Sequence, residues 1–198
     1  MRIAVIDSGV HAAHPHVQGV AGGVAILPDG TEGPDFLDRL GHGTAVTAAI
    51  REKAPRAEIF AVKIFHQSLA TDIHSLTGAI GWCVRHEIEM INLSLGTNNP
   101  EHETALRQAV ERARGIRIVA AHDWLPGLFP GVTPVALDWE CPRDEFRTSV
   151  LPDGRTLYHA SGYPRPVPGL PPERNLSGIS FAVANVTGLL ARRGTPQF

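Results

Sequence analysis

The sequence has little cysteine and little net charge, and each shortage excludes a class of protein. Only two of its 198 residues are cysteine, Cys83 and Cys141. They have neither the density of a disulfide scaffold nor the spacing of a metal site, so we expect two reduced thiols. The formal net charge of -2 comes from scattered charges of both signs. Because no basic stripe results, we do not expect nucleic acid as a partner.

Long apolar runs are also missing. No stretch of about 18 apolar residues occurs, and Met1-Arg2 leads directly into a strand-like run without the features of a signal peptide. We therefore expect no membrane association and a cytoplasmic location. Hydrophobic residues make up 43% of the chain, and no low-complexity tract interrupts it. This composition predicts a single globular domain over residues 1–198, with no oligomeric state specified.

Strand and helix signals alternate along the chain. Buried-type apolar runs predict strands at 2–7, 58–64, 88–94 and 116–121, with shorter ones within 20–27, 132–137 and 155–160. Helical spacing predicts helices at 42–52, 72–86, 101–114 and 180–193. Such alternation predicts an α/β fold with a mostly parallel central sheet that is flanked by helices on both faces.

Three reactive side chains occur at predicted element ends. Asp7 ends the first strand, His42 begins the first helix and Ser180 begins the last. Taken alone, Ser180 is better explained as a helix N-cap. However, Asp, His and Ser in this order form one of the known chain orders of a catalytic triad. Sites in parallel sheets form beyond the carboxyl ends of strands, where the segments 94–96 and 121–123 are also predicted to lie.

These residues belong to four stretches that together resemble the subtilisin-like serine proteases, or subtilases. The stretches are Val5-Ile6-Asp7-Ser8-Gly9, Gly41-His42-Gly43-Thr44, Ile91-Asn92-Leu93-Ser94-Leu95-Gly96 and Gly178-Ile179-Ser180-Phe181-Ala182. The resemblance implies a three-layer subtilisin-like fold and a serine endopeptidase. In it, Asp7 orients His42, His42 acts as general base and then acid, and Ser180 is the nucleophile.

The resemblance also implies a surface for an extended peptide substrate. Ser94, Leu95 and Gly96 match the family segment that pairs with the substrate backbone as an added strand. Ala120 and Ala121, at the end of a neighbouring predicted strand, are assigned to the same substrate-binding surface.

The chain departs from the family where an asparagine usually donates a hydrogen bond to the oxyanion. Here Ala121-His122-Asp123 replaces the usual Ala-Gly-Asn, so Asp123 stands in the place of the donor. Loss of one such donor costs about 10²–10³ in rate. A protonated Asp123, or an inward-turned His122, remains a candidate donor. An imidazole in place of the family's glycine is also expected to narrow the first specificity pocket.

Metal sites are weakly indicated. His11, His14 and His16 are spaced closely enough to suggest a metal cluster. The stretch His14-Pro15-His16-Val17 nevertheless resembles the family segment that follows the Asp motif, which favours a structural role for His14. Residues 50–55 pass directly toward the next strand, whereas many subtilases insert a calcium-binding loop there. We expect a pared-down member without propeptide, cofactor, metal or high-affinity calcium site.

The sequence leaves three functions open. The leading interpretation is a serine endopeptidase of limited specificity that processes a peptide or precursor inside the cell, for example by removing a leader. A catalytically impaired peptide-binding module is the first alternative, because the intact triad motifs coexist with a missing oxyanion donor. A transpeptidase, which transfers the acyl group to an amine instead of water, is the second.

Overall fold

The computed structural model describes residues 1–194, apart from the side chain of Glu173. It contains the strands β1 Arg2–Asp7, β2 Gly22–Ile26, β3 Glu32–Gly33, β4 Glu58–Lys63, β5 Met90–Leu93, β6 Arg117–Ala121, β7 Val132–Leu137, β8 Arg147–Val150 and β9 Thr156–Ala160. The helices are α1 His42–Lys53, α2 Ile73–Arg85, α3 Glu103–Arg112 and α4 Ile179–Gly194. Short 3-10 turns occur at Pro100–His102 and Pro172–Arg174.

One 9-stranded sheet with the order β3-β2-β4-β1-β5-β6-β7-β9-β8 organises the chain. The pairings from β2 to β9 are parallel, and the two edge strands β3 and β8 pair antiparallel. The predicted α/β fold with a mostly parallel sheet is therefore confirmed. Asp7 ends the interior strand β1, which pairs with β4 on one side and with β5 on the other.

Helices cover both faces of this sheet. Along β1, Ala4 and Ile6 pack into the core that includes α2 and α3, whereas Ile3 and Val5 pack into the core that includes α1 and α4. Successive side chains of a strand point to opposite faces, so a strand buried on both faces reads as a continuous apolar run. This explains why β1 shows no polar alternation in the sequence.

The main differences from the sequence-based prediction are two additional strands and the start of the third helix. Strand β8 was not predicted, because all four of its residues are exposed and no buried alternation marks it. The two-residue strand β3 is too short to leave a pattern. The third helix begins at Glu103 rather than 101, since a 3-10 turn occupies Pro100–His102.

Helix α4 is buried almost all round, since every residue from Phe181 to Ala191 is buried. It lies between the sheet and α1, which explains its uncharged apolar run. Among residues 1–194, no helix is both long and apolar enough to cross a membrane.

Helices α1 and α4 approach each other closely at Gly188. A Cβ atom at Gly188 would lie 2.9 Å from Lys53 Cβ and 3.1 Å from the Ile50 carbonyl oxygen. At Gly81 in α2, the nearest atom to an added Cβ is the mobile end of the Arg85 side chain, at 3.4 Å. The two helical glycines therefore differ in the space around them.

We expect Gly188→Ala to lower the free energy of unfolding by about 1–3 kcal/mol, because the added methyl group forces α1 and α4 apart. Gly81→Ala is the matched control. Ala is the better helix former by up to about 1 kcal/mol, and only a flexible side chain must move, so this variant should be neutral or stabilised. Urea unfolding of both variants tests the pair, and equal effects would contradict the proposed close contact.

Candidate active site

The polar residues singled out in the sequence lie at one edge of the sheet. Strands β1, β5 and β6 are neighbours and run parallel, so their carboxyl ends meet there. Asp7 ends β1, Ser94 follows β5 and His122 follows β6. Because α1 begins at His42 and α4 packs against α1, both helix starts can face this edge. The phenyl ring of Phe181 lies 5.8 Å from the His42 ring, centroid to centroid.

Asp7 and His42 form a direct pair. His42 Nδ1 lies 2.8 Å from Asp7 Oδ1, and Asp7 is 0% exposed. The same carboxylate oxygen accepts the Ser8 N–H at 2.7 Å, whereas Asp7 Oδ2 is buried without a hydrogen-bond partner among residues 1–194. A hydrogen bond at Nδ1 fixes the imidazole ring, so that its other nitrogen is the one available to a nucleophile.

A second buried carboxylate, Asp38, fixes the start of α1. It accepts hydrogen bonds from Ser8 Oγ at 2.9 Å, from Thr44 N–H at 2.9 Å and from Thr44 Oγ1 at 2.6 Å, as well as from two loop amides. Ser8 Oγ in turn accepts the Gly43 N–H at 2.9 Å. Asp38 thus satisfies helix-start donors that Gly41, the N-cap residue, leaves free. The sequence-based prediction missed it, because Asp38 lies in an irregular loop.

The contacts with Asp7 and the charge of Asp38 raise the pKa of His42. Burial lowers the pKa of His42, but the hydrogen bond that His42 donates to Asp7 and the charges of Asp7 and Asp38 outweigh burial, so the pKa lies above its ordinary value. A general base must be neutral to accept a proton. Activity that depends on His42 is therefore expected to rise with pH through this raised pKa and to fall under acidic conditions.

Ser180 is the second residue of α4 and shares a cavity with His42. The cavity has a volume of about 310 Å³. Ser180 Oγ donates to the Ser94 carbonyl oxygen at 3.1 Å, and Ser94 Oγ donates to the Ser180 carbonyl oxygen at 3.0 Å. Within residues 1–194 the Ser180 hydroxyl is thus bonded to Ser94 and not to His42. The bond to the Ser94 carbonyl oxygen must break before His42 can accept the proton of this hydroxyl.

The amide of Ser180 is an available hydrogen-bond donor. Among the described residues no acceptor bonds to Ser180 N–H, as expected in the first turn of a helix. Such amides, together with the helix dipole, favour a negatively charged oxygen beside them. The start of α4 therefore supplies one donor for an oxyanion.

The structure does not bring His122 or Asp123 to the wall of the cavity. The side chain of Asp123 is 85% exposed, and its carboxylate lies 3.9 Å from His122 Nε2. The side chain of His122 is 24% exposed, and its buried Nδ1 has no hydrogen-bond partner in the part of the chain that the structure describes. The geometry therefore assigns neither residue to the oxyanion, and both remain candidates from the sequence alone.

Of the predicted substrate-binding residues, Ser94, Leu95 and Gly96 line the cavity, whereas Ala120 and Ala121 do not. Both alanines are buried in β6, which pairs with β5 on one side and β7 on the other, so they belong to the core. Their assignment to the substrate surface is corrected accordingly. The remaining cavity wall was not predicted: Phe65, Leu69, Ala70, Thr71, Asp72, Ile73, Leu76, Thr97, His102 and Trp124.

The three histidines near the N-terminus do not form a metal cluster. His14 Nδ1 accepts the His16 N–H at 3.2 Å, and the rings of His14 and His16 meet edge to face. Within residues 1–194, no group of three His, Cys, Asp or Glu side chains is arranged to hold a metal ion. The contact between His14 and His16 suits the structural role expected for His14.

Comparisons with known proteins give the following matches. The model of the subtilase family matches residues 1–122, which include Asp7 and His42 but end before Ser180. Subtilisin E of Bacillus subtilis (strain 168) is 32% identical over 130 residues, which are 61% of this chain and 33% of the relative. The minor extracellular protease Epr of the same organism is 35% identical over 133 residues, which are 61% of this chain and 19% of the relative.

Among solved structures, that of the prenylagaramide maturation protease PagA superposes with a TM-score of 0.69 at 23% identity. It covers 98% of this chain and 74% of that chain. This match extends past residue 122 and concerns the fold. The chain thus spans about a third of the length of the curated relative subtilisin E.

We expect Asp38→Asn to move the acid limb of the pH–activity profile to lower pH, because Asp38 helps to raise the pKa of His42. The same shift should appear in the NMR titration of the His42 ring, which requires no activity. Asp35→Asn is the matched control, since this exposed carboxylate in the same loop pairs with Arg39 at 2.9 Å. An unchanged His42 titration in Asp38→Asn would refute the electrostatic role.

Proposed function

The chain belongs to the subtilase family, and we propose that it is a serine endopeptidase that uses Asp7, His42 and Ser180 as its catalytic triad. The observation that carries the proposal is the hydrogen bond of 2.8 Å between Asp7 and His42, with His42 and Ser180 on the wall of one cavity. The roles follow the general logic of a nucleophile, a base and a group that orients the base.

In this mechanism the reaction begins when Ser180 Oγ leaves the Ser94 carbonyl oxygen and turns toward His42. The ring nitrogen Nε2, which does not face Asp7, accepts the hydroxyl proton while Oγ attacks the substrate carbonyl. The free N–H of Ser180 stabilises the resulting oxyanion, and His42 then passes its proton to the leaving amine. Water repeats the sequence on the acyl-enzyme. Asp7 stays ionised throughout and stabilises the imidazolium.

The proposed substrate is a peptide in extended conformation. No hydrogen bond involves the backbone N–H or C=O of Gly96 among the described residues, although Thr97 and Leu125 next to it are paired. Alternate residues of an extended segment direct their backbone groups to opposite edges. Gly96 therefore offers one free donor and one free acceptor on the edge opposite Leu125, which suits an added substrate strand.

A processing role inside the cell is the finer part of the proposal. The protein would cleave a leader or another defined segment from a precursor, a role consistent with the fold it shares with the prenylagaramide maturation protease PagA. The thiols of Cys83 and Cys141 are free and buried, which suits a reducing compartment. Mapping the cleavage sites in candidate precursors by mass spectrometry tests this role, since indiscriminate cleavage would contradict it.

A peptide-binding module without catalysis is the second candidate. It is favoured by the Ser180 hydroxyl, which is bonded to Ser94, and by the carboxylate at Asp123 in place of the family's amide. The endopeptidase and the binding module would bind a peptide in the same cavity, and they differ only in whether Ser180 reacts with it.

We expect a fluorophosphonate probe to label wild-type protein on Ser180, because the triad activates this hydroxyl. Ser180→Ala should abolish labelling, and Asp7→Asn should slow it strongly through loss of the His42 orientation. Ser94→Ala removes only the bond from Ser94 Oγ to the Ser180 carbonyl oxygen and keeps the Ser94 carbonyl oxygen that accepts from Ser180 Oγ, so this variant should retain labelling. A protein that binds peptides but resists the probe would instead be a binding module.

Asp123→Asn tests the sequence-based assignment of Asp123 to the oxyanion. A neutral donor at that place predicts a kcat raised by about tenfold to a thousandfold toward an activated ester, whereas the 85% exposed side chain of Asp123 predicts an unchanged rate. Asp123→Ala is the control, since it removes the charge without adding a donor and should give a smaller gain. An unchanged rate in Asp123→Asn together with a lower rate in His122→Ala would transfer the donor role to His122.

A further inference from the structure

The segments that follow β5 and β6 separate at the sheet edge and then meet again. Leu93 and Ala120 are paired in the parallel sheet. Four residues beyond Leu93, Thr97 forms an antiparallel bridge with Leu125. Thr97 N–H donates to the Leu125 carbonyl oxygen at 3.0 Å, and Leu125 N–H donates to that of Thr97 at 2.9 Å. The segments 93–97 and 120–125 are thus joined at both ends and form a closed loop of backbone.

The interior of this loop is filled by the protein itself. A Cβ atom at Gly96 would lie 2.8 Å from both the Leu125 carbonyl oxygen and Trp124 Cβ, and 3.4 Å from Trp124 Cε3. A Cβ atom at Gly127 would lie 1.8 Å from the Ala121 carbonyl oxygen. Both contacts involve backbone atoms, which cannot swing aside as a flexible side chain does. The two segments therefore pack too closely to leave room for a side chain on either glycine.

The narrow space between the two segments, here called the closed gap, lies next to Ser180. Ser180 Oγ lies 3.1 Å from the Ser94 carbonyl oxygen, and the segment from Ser94 leads directly to Gly96. A peptide strand paired with the free edge of Gly96 must bring its reacting carbonyl to Ser180. The side chain of the residue that carries this carbonyl then lies over the closed gap, where the indole of Trp124 is 48% exposed on the cavity wall.

The same cavity also has an apolar wall. Phe65, Leu69, Leu76 and Leu95 line this cavity of about 310 Å³. A substrate can therefore place an apolar side chain there while the position at the reacting carbonyl stays confined. Such a site would select substrates by the size of the side chain next to the reacting carbonyl.

Given the endopeptidase function proposed above, we propose that the enzyme cleaves after residues with a small side chain, namely glycine, alanine or serine, and that Trp124 is the residue that excludes larger ones. The narrowing expected from His122 is supplied instead by Trp124 and by the bridge between Thr97 and Leu125. His122 does not line the cavity.

The p-nitrophenyl esters of N-acetyl-alanine and N-acetyl-phenylalanine test this specificity without knowledge of the natural substrate. For wild type, kcat/KM should favour the alanine ester by about 100-fold or more, since one misfitting group in a pocket already costs tenfold to 200-fold. Trp124→Ala removes the indole and should reduce this ratio by about tenfold. Trp124→Gly also removes the Cβ that lies against Gly96 and should reduce the ratio further.

Trp139→Ala is the matched control. Trp139 is 47% exposed, packs against Tyr163 and does not line the cavity. The ratio should stay at the wild-type value in this variant. Equal rates of wild type on both esters, or a preference for the phenylalanine ester, would overturn the proposal even if the Trp124 variants fail to fold.

p-Nitrophenyl acetate separates the specificity from the proposed function, because its acyl group has no side chain to exclude. Turnover of the acetate by wild type and not by Ser180→Ala, with no preference between the amino-acid esters, would refute the specificity and leave the endopeptidase standing. If none of the three esters is turned over, the endopeptidase function fails and the specificity inference fails with it.

Discussion

The geometry of the candidate site depends on the burial of the Asp7 carboxylate at the end of the interior strand β1. A buried charge is stable only if hydrogen bonds replace its lost hydration. Asp7 Oδ1 accepts from both His42 and Ser8, so the same bonds that stabilise the charge also fix the imidazole ring. Ser8 then links this carboxylate to Asp38, which anchors the start of α1. The orientation of His42 is therefore a consequence of how one buried charge is solvated.

The other half of the site depends on helix packing. Ser180 reaches the sheet edge because α4 is buried between the sheet and α1, and that burial requires the close approach at Gly188. Ser180 is the reactive residue of α4. Because it lies in the first turn of the helix, its own backbone N–H has no hydrogen-bond partner among the described residues. The nucleophile and one oxyanion donor thus come from the same helix start.

The fold was predictable from the sequence because strands buried on both faces and helices with apolar stripes leave local patterns. The ends of these elements placed Asp7, His42 and Ser180 for the same reason. Asp38 and Trp124 left no such signal, since both lie in irregular segments. The bridge between Thr97 and Leu125 joins residues far apart in the chain, and no periodicity records such a pairing. The assignment of Ala120 and Ala121 to the substrate surface failed because a strand end was treated as exposed, although β6 has a paired neighbour on each side.

The choice between an enzyme and a binding module depends on two free energies: that of the hydrogen bond between Ser180 and Ser94, and the cost of a missing oxyanion donor. The bond that holds Ser180 Oγ on Ser94 is a neutral hydrogen bond, with a net contribution of about 1 kcal/mol. Breaking it lowers the reactive population by less than about tenfold, because a factor of ten corresponds to about 1.4 kcal/mol. A missing oxyanion donor costs about 3–4 kcal/mol, which is a larger effect but one that leaves most of the rate enhancement of an enzyme in place. The two departures together slow a triad without disabling it, and for this reason we favour a slow, selective endopeptidase over a module that only binds.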